Sequence, residues 1–366
     1  MTTRRAFAVL AGALVVALAG CAAPVGTAST PTPTVADSRP LADLDLVADP
    51  RTHVGASSAV MASEAVEPVA VDPAQTLPAT VVSRDPSGDR EVVVDDTSRV
   101  LALDMSGSIA ATVWGLGLGD LLVGRDISTT FPGAADLPVV TSSGHSIDAE
   151  SVLVQRPTLI ITDGSIGPRD VLVQLRQAGV TVVFVGDEPS FDGAAQLARD
   201  VAAVLGVPET GELLADRITS EVEAKIAEIA AIAPAAEGDR VRMLFLYLRG
   251  ASGVYYLFGE ESGAGDLIRA LGGVDVAGEI GWTGLKPMTD EAMIAANPDL
   301  ILVMSGGLKS AGGVEGLLAA KPAIALTSAG QHERFVDMAD GDVLSFGPRS
   351  AAVLDALARA IYAPAD

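Results

Sequence analysis

The sequence predicts an α/β protein of two lobes joined by one long α-helix, and three observations support this. Short aliphatic runs, such as residues 159–161 and 182–185, alternate with helical patterns, as in parallel sheets buried between helices. The longest helical pattern starts at Pro208 and stops before Pro234, and strand and helix patterns resume after it. Apolar residues form one stripe along this helix at intervals of three or four: Leu214, Ile218, Val222, Ile226 and Ile229. A chain of 366 residues is long enough for two such domains.

The predicted elements follow in the same order in both lobes. In the N-terminal lobe, residues 98–207, we expect strands over residues 99–103, 159–161 and 182–185, and helices over residues 109–118, 148–155, 168–178 and 191–205. The bridging helix takes residues 208–235. In the C-terminal lobe, residues 236–366, we expect strands over residues 240–248 and 300–304, and helices over residues 265–271, 290–296 and 348–361. Each lobe has an acidic residue, Glu150 or Glu291, opening a short helix before a proline and a strand, which suggests related halves.

The first 21 residues predict a lipoprotein signal peptide. Arg4 and Arg5 precede an apolar run over residues 6–18 that is too short to span a membrane permanently. Residues 18–21, Leu-Ala-Gly-Cys, resemble a bacterial lipobox, in which Cys21 is lipidated and becomes the mature N-terminus. The alternative is an ordinary signal peptide that happens to end near a cysteine. Cys21 is the single Cys of the chain, which favours lipidation and an extracytoplasmic protein anchored to the cell membrane.

Residues 22–97 are predicted to form a tether. They are rich in Thr, Pro, Ala, Ser, Asp and Val, and residues 31–34 read Pro-Thr-Pro-Thr, which is typical of linkers. Within this segment, residues 79–83 and 90–94 are candidate hairpin strands with a turn at residues 87–89.

The charge of the chain excludes some partners. Its formal net charge is -23, with 47 acidic and 24 basic residues. A nucleic acid or an anionic membrane surface would be repelled by this field. The sequence around residues 114–119 has glycines spaced G-x-G-x-G after a helical pattern, which is typical of a helix end and not of a dinucleotide loop. The chain also has no G-x-S-x-G, H-E-x-x-H or C-x-x-C motif, so the signal for hydrolytic or redox catalysis is weak.

Two sites carry chemically informative side chains. His145 is one of three histidines, with His53 and His332, and lies in a small polar loop at the end of a strand, where α/β domains bind ligands. Tyr247 lies in the aliphatic strand of the second lobe, Arg249 begins the loop after it, and alternation puts both on one side. A guanidinium beside a phenol favours the phenolate, which is a hard ligand suited to ferric iron. The alternatives are a surface histidine and a core tyrosine beside a surface arginine.

Several motifs together resemble the substrate-binding proteins that serve bacterial ABC importers of haem, cobalamin and ferric siderophores. They are residues 117–126, 147–150, 156–160, 286–291, 297–299 and 346–349. The resemblance covers residues 98–366 and is strongest to haemin-binding lipoproteins of the HmuT type. It implies the fold of class III periplasmic binding proteins, which is α/β, with two Rossmann-like α/β lobes joined by one long α-helix.

The resemblance also implies residue roles. His145 and Tyr247 would be the axial ligands of the haem iron, with Arg249 supporting Tyr247. Glu150 and Glu291 would dock on arginines of an ABC permease, which works with an ATPase subunit. Aromatic residues expected to contact haem, the transported ligand, are Tyr255, Tyr256 and Trp282.

Three other functions stay open at this point. One is a receptor for a ferric siderophore or cobalamin on the same fold. Another, of a different class, is an extracytoplasmic haem-modifying enzyme, although the expected function is not enzymatic. The last is a purely structural lipoprotein that binds no ligand.

Overall fold

The computed structural model describes residues 32–33, 39–142, 145–248 and 255–365. It confirms the predicted fold class: two α/β lobes joined by the long helix α5, Pro208–Ile232. The strands before α5 are β1 Thr32–Pro33, β2 Ser57–Ser58, β3 Ala79–Ser83, β4 Arg90–Val94, β5 Val100–Leu103, β6 Leu122–Arg125, β7 Thr141–Ser142, β8 Ser146–Ile147, β9 Leu159–Thr162 and β10 Thr181–Phe184. The helices before it are α1 Ser108–Gly115, α2 Ala149–Val154, α3 Arg169–Gln177 and α4 Phe191–Val204.

The second lobe follows α5. Its strands are β11 Arg242–Leu248, β12 Tyr255–Leu257, β13 Val274–Asp275, β14 Lys286–Pro287, β15 Leu300–Met304 and β16 Phe335–Met338. Its helices are α6 Ala264–Ala270, α7 Val276–Glu279, α8 Asp290–Ala296, α9 Ser305–Ser310, α10 Gly313–Ala320, α11 Pro322–Ala325, α12 Ser328–Gln331 and α13 Ser350–Tyr362. Within the described ranges, the search for a helix of membrane-spanning length and apolarity finds none.

Each lobe is built on a parallel sheet. The N-lobe sheet has the order β10-β9-β5-β6, and all its neighbours are parallel. The C-lobe sheet has a parallel centre, β16-β15-β11, which β12 and β14 extend in antiparallel fashion. Every residue of β5 and β9 is buried, which explains their continuous aliphatic sequences.

Helix α5 contributes to both cores, as its apolar stripe predicts. Leu214 and Ile218 are buried in the N-lobe core, whereas Val222 and Ile229 are buried in the C-lobe core. Ile226 packs partly buried against the C-lobe core. One continuous helix therefore belongs to two hydrophobic cores, which restricts how far the lobes can separate.

The tether predicted over residues 22–97 is wrong for the part that the structure describes from residue 39 onward. Leu41, Ala59 and Met61 are buried in the C-lobe core, and β2 extends the C-lobe sheet beside β16. The backbone N–H of Val47 donates to the carbonyl of Tyr362 at 2.9 Å. We call residues 39–78 the strap.

The strap then crosses to the other lobe. Val66 is buried in the N-lobe core, and the backbone N–H of Val69 donates to the carbonyl of Gly115 at 2.8 Å. The hairpin of β3 and β4 follows, as predicted, with Ala79 opposite Val94. An extended segment of this kind has no helical or alternating pattern, because its partners are backbone groups and pockets supplied by distant residues. Composition alone therefore makes it look like a linker.

Candidate functional site

A cavity of about 350 Å³ lies between the lobes, at the carboxyl ends of both parallel sheets. Strands β5, β9 and β10 are followed closely by Asp104, Asp163 and Asp187, and all three residues line the cavity. The C-lobe contributes residues such as Phe258 and Asp340. Ligand sites of open α/β sheets collect at this end of the strands, so the cavity is the candidate binding cleft.

The cleft is lined by acidic groups. Its charged residues in the described ranges are Asp104, Asp163, Asp187, Glu188 and Asp340, and no described lining residue is basic. Burial raises the pKa of Asp104 to about 7, and the nearby charge of Asp126 adds to this rise. Burial, followed by the charge of Asp104, raises the pKa of Asp163 to about 7 as well. At neutral pH the cleft therefore carries less negative charge than its carboxyl groups would carry in water.

Asp104 also has a structural part in the N-lobe wall. Its carboxylate accepts hydrogen bonds from the backbone N–H groups of Ser108 at 2.9 Å and Ile109 at 3.2 Å, at the start of α1. The Ser106 hydroxyl donates to it at 2.7 Å. These bonds compensate for its burial and fix the first turn of α1 beside the cleft.

Tyr247 lies beside the cleft on the C-lobe side. It is half-buried near the end of β11 and opposite Tyr256 of β12, so the two side chains share one face of the sheet. Its ring centroid is 6.4 Å from that of Tyr256 and 6.0 Å from that of Phe258. Phe258 lines the cavity, and this contact places the Tyr247 ring at the aromatic edge of the cleft.

His145 lies at the boundary between the lobes on the N-lobe side. It is half-buried in the turn between β7 and β8 and has a φ of 61°, a left-handed conformation that His tolerates better than most residues. Its Nδ1 is 3.3 Å from the Ser128 hydroxyl oxygen. The Ser128 carbonyl oxygen lies so close to Gly341 of the C-lobe that a Cβ atom added at this glycine would be only 2.8 Å from it. The segment that carries Ser128 therefore packs directly on the opposite lobe, and His145 contacts that segment.

Two of the aromatic residues expected at the ligand do not share the face of Tyr247. Tyr255 is buried in the core on the other side of the C-lobe sheet, and its hydroxyl donates to Asp290 at 3.1 Å. Trp282 packs against the same core and donates from Nε1 to the carbonyl of Leu257 at 3.3 Å. The expectation is wrong for Tyr255, because alternation along β12 turns it away from Tyr256. Trp282 likewise packs on the opposite side of the sheet from Tyr247.

The remaining residues that the sequence analysis named differ in what can be said of them. Arg249 and Cys21 lie outside the described residues, so their assigned roles stay predictions. Glu150 and Glu291 are exposed in the first turns of α2 and α8, as predicted. His332 donates from Nδ1 to the carbonyl of Ser328 at 2.9 Å, within the C-lobe.

The sequence analysis did not identify several residues that line the cleft. Phe258 could have been found from alternation, because it follows Tyr256 by two positions. Asp104 and Asp163 could have been found as acidic residues that directly follow buried strands. Asp340 gave no such signal, because the strand before it was not predicted.

Comparison with known proteins gives consistent results. The periplasmic binding protein family matches residues 105–340. The crystal structure of the haem-binding protein HmuT is 42% identical, with a TM-score of 0.80, and the match covers 86% of this chain and 99% of that one. The apo structure of the periplasmic haem-binding protein RhuT from Roseiflexus sp. RS-1 is 36% identical, with a TM-score of 0.66, and covers 73% of this chain and 98% of that one.

Two curated proteins are more distant. The uncharacterised ABC transporter substrate-binding lipoprotein YvrC of Bacillus subtilis is 25% identical over 291 residues, which is 79% of this chain and 87% of its own. A cobalamin-binding protein of Halobacterium salinarum is 25% identical over 221 residues, which is 60% of this chain and 57% of its own. By these descriptions the similar proteins are binding proteins and not enzymes.

Proposed function

The chain belongs to the periplasmic binding protein family, and from this premise we propose that it is an extracytoplasmic haemin receptor that delivers its ligand to an ABC permease. The mature protein is anchored to the cell membrane through lipidated Cys21. Haemin is its cargo and not a resident cofactor. Two structural neighbours described as haem-binding proteins, at 42% and 36% identity, support the ligand class.

One observation carries the proposal. His145 contacts Ser128, whose carbonyl oxygen lies close to Gly341 of the C-lobe, and the ring of Tyr247 contacts Phe258, which lines the cleft. Imidazole and phenolate are both protein ligands of haem iron. We assign them as the two axial ligands, with Arg249 stabilising the phenolate form of Tyr247. The porphyrin would then lie between the lobes against Phe258 and Tyr256.

The charge of the cleft disfavours a ferric siderophore. An anionic siderophore complex requires basic residues facing it, whereas all the charged residues that line the described part of the cleft are acidic. Cobalamin is the second candidate, because one distant relative is described as a cobalamin-binding protein. A haem-modifying enzyme is disfavoured, because two protein ligands on the iron leave no position open for oxygen.

The test is a spectroscopic titration of the soluble mature protein with haemin. We expect a Soret band together with a ligand-to-metal charge-transfer band typical of a phenolate complex. Tyr247→Phe retains the ring but removes the ligand oxygen, so it should weaken haemin binding by more than about 100-fold, beyond the ~10–100-fold typical of residues that only support a ligand. His145→Ala should shift the band, because the iron loses its nitrogen ligand.

Two matched controls retain the ligands. Tyr256→Phe removes the neighbouring hydroxyl on the same face, and His332→Gln removes an imidazole within the C-lobe. Both should bind haemin far more tightly than Tyr247→Phe, since Tyr256→Phe keeps the ring that would contact the porphyrin. If Tyr247→Phe and Tyr256→Phe bound haemin equally, the assigned ligand would be wrong. Binding of cobalamin in preference to haemin would support the second candidate.

A further inference from the structure

Helices α2 and α8 occupy equivalent places in the two lobes. Helix α2 leads into β9 and helix α8 leads into β15. Strand β9 pairs in parallel with β5 at the centre of the N-lobe sheet. Strand β15 pairs in parallel with β11 at the centre of the C-lobe sheet. The two helices therefore enter their sheets at the same point of the fold.

The two helices also correspond residue by residue. A side-chain cap precedes each one, with Asp148 accepting from the backbone of Glu150 and Thr289 accepting from that of Ala292. The second helical position is a glutamate, Glu150 or Glu291, and it is exposed in both. A left-handed residue and then a proline end each helix: Arg156 with φ 47° before Pro157, and Asn297 with φ 41° before Pro298.

Helices α2 and α8 also agree in which of their side chains are buried and which are exposed. The fourth helical position, Val152 or Met293, is fully buried at 0% exposure. The fifth position is a large aliphatic residue that stays open to solvent: Leu153 is 47% exposed and Ile294 is 44% exposed. Each follows its glutamate by three positions, so the carboxylate and the apolar side chain are neighbours on one helix face.

A single exposed aliphatic residue needs no explanation in a soluble protein. Here the same residue class is exposed to the same degree at the same position of both lobes, next to the same carboxylate. The core does not require it, because the preceding residue already fills the core in each helix. We propose that Leu153 and Ile294 are paired apolar anchors which, together with Glu150 and Glu291, dock on the importer permease.

The chemistry of the two surfaces defines the partner. Both offer a glutamate and a large aliphatic side chain at the same two helical positions, on a chain of formal net charge -23. The surface of a complementary partner would therefore have two equivalent sites, each with a cationic side chain beside an apolar pocket. The extracytoplasmic face of a two-fold symmetric permease meets both requirements. This inference rests on the proposed function, since it takes the permease as the partner.

The two kinds of contact respond differently to salt. Ion pairs at an exposed rim are screened when the ionic strength rises, whereas burial of an aliphatic side chain is not. The glutamates should therefore govern the rate of association and its salt dependence, and the anchors should govern the lifetime of the complex.

The experiment measures binding of the soluble mature protein to its own organism's haem permease–ATPase complex, purified and reconstituted in nanodiscs. Leu153→Ala and Ile294→Ala should each weaken binding roughly tenfold at both low and high salt, as a central apolar contact does. Leu153→Ile and Ile294→Leu, which retain the apolar volume, should bind like the wild type. Val82→Ala and Leu213→Ala are matched controls, because these residues are 59% and 58% exposed on β3 and α5, which are not part of the two docking helices.

The outcomes separate this inference from the proposed function. Haemin titration of the same variants reports on the cleft, which the anchors do not line. If the Leu153→Ala, Ile294→Ala double variant bound the permease as tightly as the wild type, the anchors would be refuted even with haemin binding intact. If only one of the two positions mattered, the two-fold equivalence would be refuted. If the wild type failed to bind haemin, the proposed ligand would be wrong, and the comparison of permease binding would still decide the role of the anchors.

Discussion

The strap offers a sharp test of whether residues 39–78 belong to the folded protein. Leu41 is 1% exposed in the C-lobe core, in a turn of 3-10 helix that packs on α5. Leu46, in the same segment, is 41% exposed. Substituting each by Ala removes the same three carbon atoms from two different environments, so Leu46→Ala is the matched control for Leu41→Ala.

The expected magnitudes follow from burial. Loss of three buried carbons at about 0.8 kcal/mol each gives roughly 2.4 kcal/mol for Leu41→Ala. The cavity left behind raises the loss of unfolding free energy to about 2–5 kcal/mol. Leu46 is 41% exposed, so Leu46→Ala leaves no closed cavity and removes roughly 60% as much buried surface, and we expect a loss of about 1.4 kcal/mol.

Urea unfolding followed by circular dichroism would measure both variants, with the slope against denaturant checked for constancy. If Leu41→Ala and Leu46→Ala had equal unfolding free energies, the strap would behave as a solvated tether. That result would refute the assignment of residues 39–78 to the fold.

Two further outcomes concern the cleft carboxyls and the lipid anchor. Because burial raises the pKa of Asp104 and Asp163 to about 7, the folded protein binds more protons than the unfolded chain between about pH 4 and 7. The free energy of unfolding should therefore fall as the pH rises through this window, and an Asp104→Asn, Asp163→Asn variant should lose most of that dependence in urea titrations at several pH values. A wild type whose stability rose over the same window would contradict this. Cys21→Ser should move the protein from the membrane fraction to the soluble fraction, since each buried CH₂ of a lipid chain contributes about 0.8 kcal/mol. Retention of the variant in the membrane, seen by fractionation and immunoblotting, would exclude the lipid anchor.

The interlobe contacts bear on how such a receptor works. Helix α5 and the strap both run between the two cores, so two segments of the chain connect the lobes. The Phe191 and Phe346 rings are also in edge contact at 5.2 Å, and the Ser108 and Ser345 hydroxyls are 3.3 Å apart. A scaffold held in this way favours small adjustments of the cleft over wide opening. Release of haemin would then require the permease to weaken at least one axial bond, which follows from the proposed function.

Local patterns predicted most of the regular elements. Helix α8 and strand β15 were predicted to the residue, because caps, a proline and continuous aliphatic runs mark their ends. The short helices α9 to α12 and the strand β16 were not predicted. They are four to eight residues long, too short for a periodic apolar pattern to mark them.

The sequence by itself determined the two-lobed α/β class and the bridging helix, whereas His145 and Tyr247 are assigned as ligands by family resemblance and remain a proposal. The fold class and the helix follow from apolar periodicity and from motif spacing, both of which are local. Only the tertiary structure decided that the strap belongs to both cores, that Tyr255 faces away from Tyr247, and that buried carboxyls line the cleft. Each of these depends on residues distant in the chain, because an extended segment, a strand face and the pKa of a carboxyl are set by the neighbours that folding brings together.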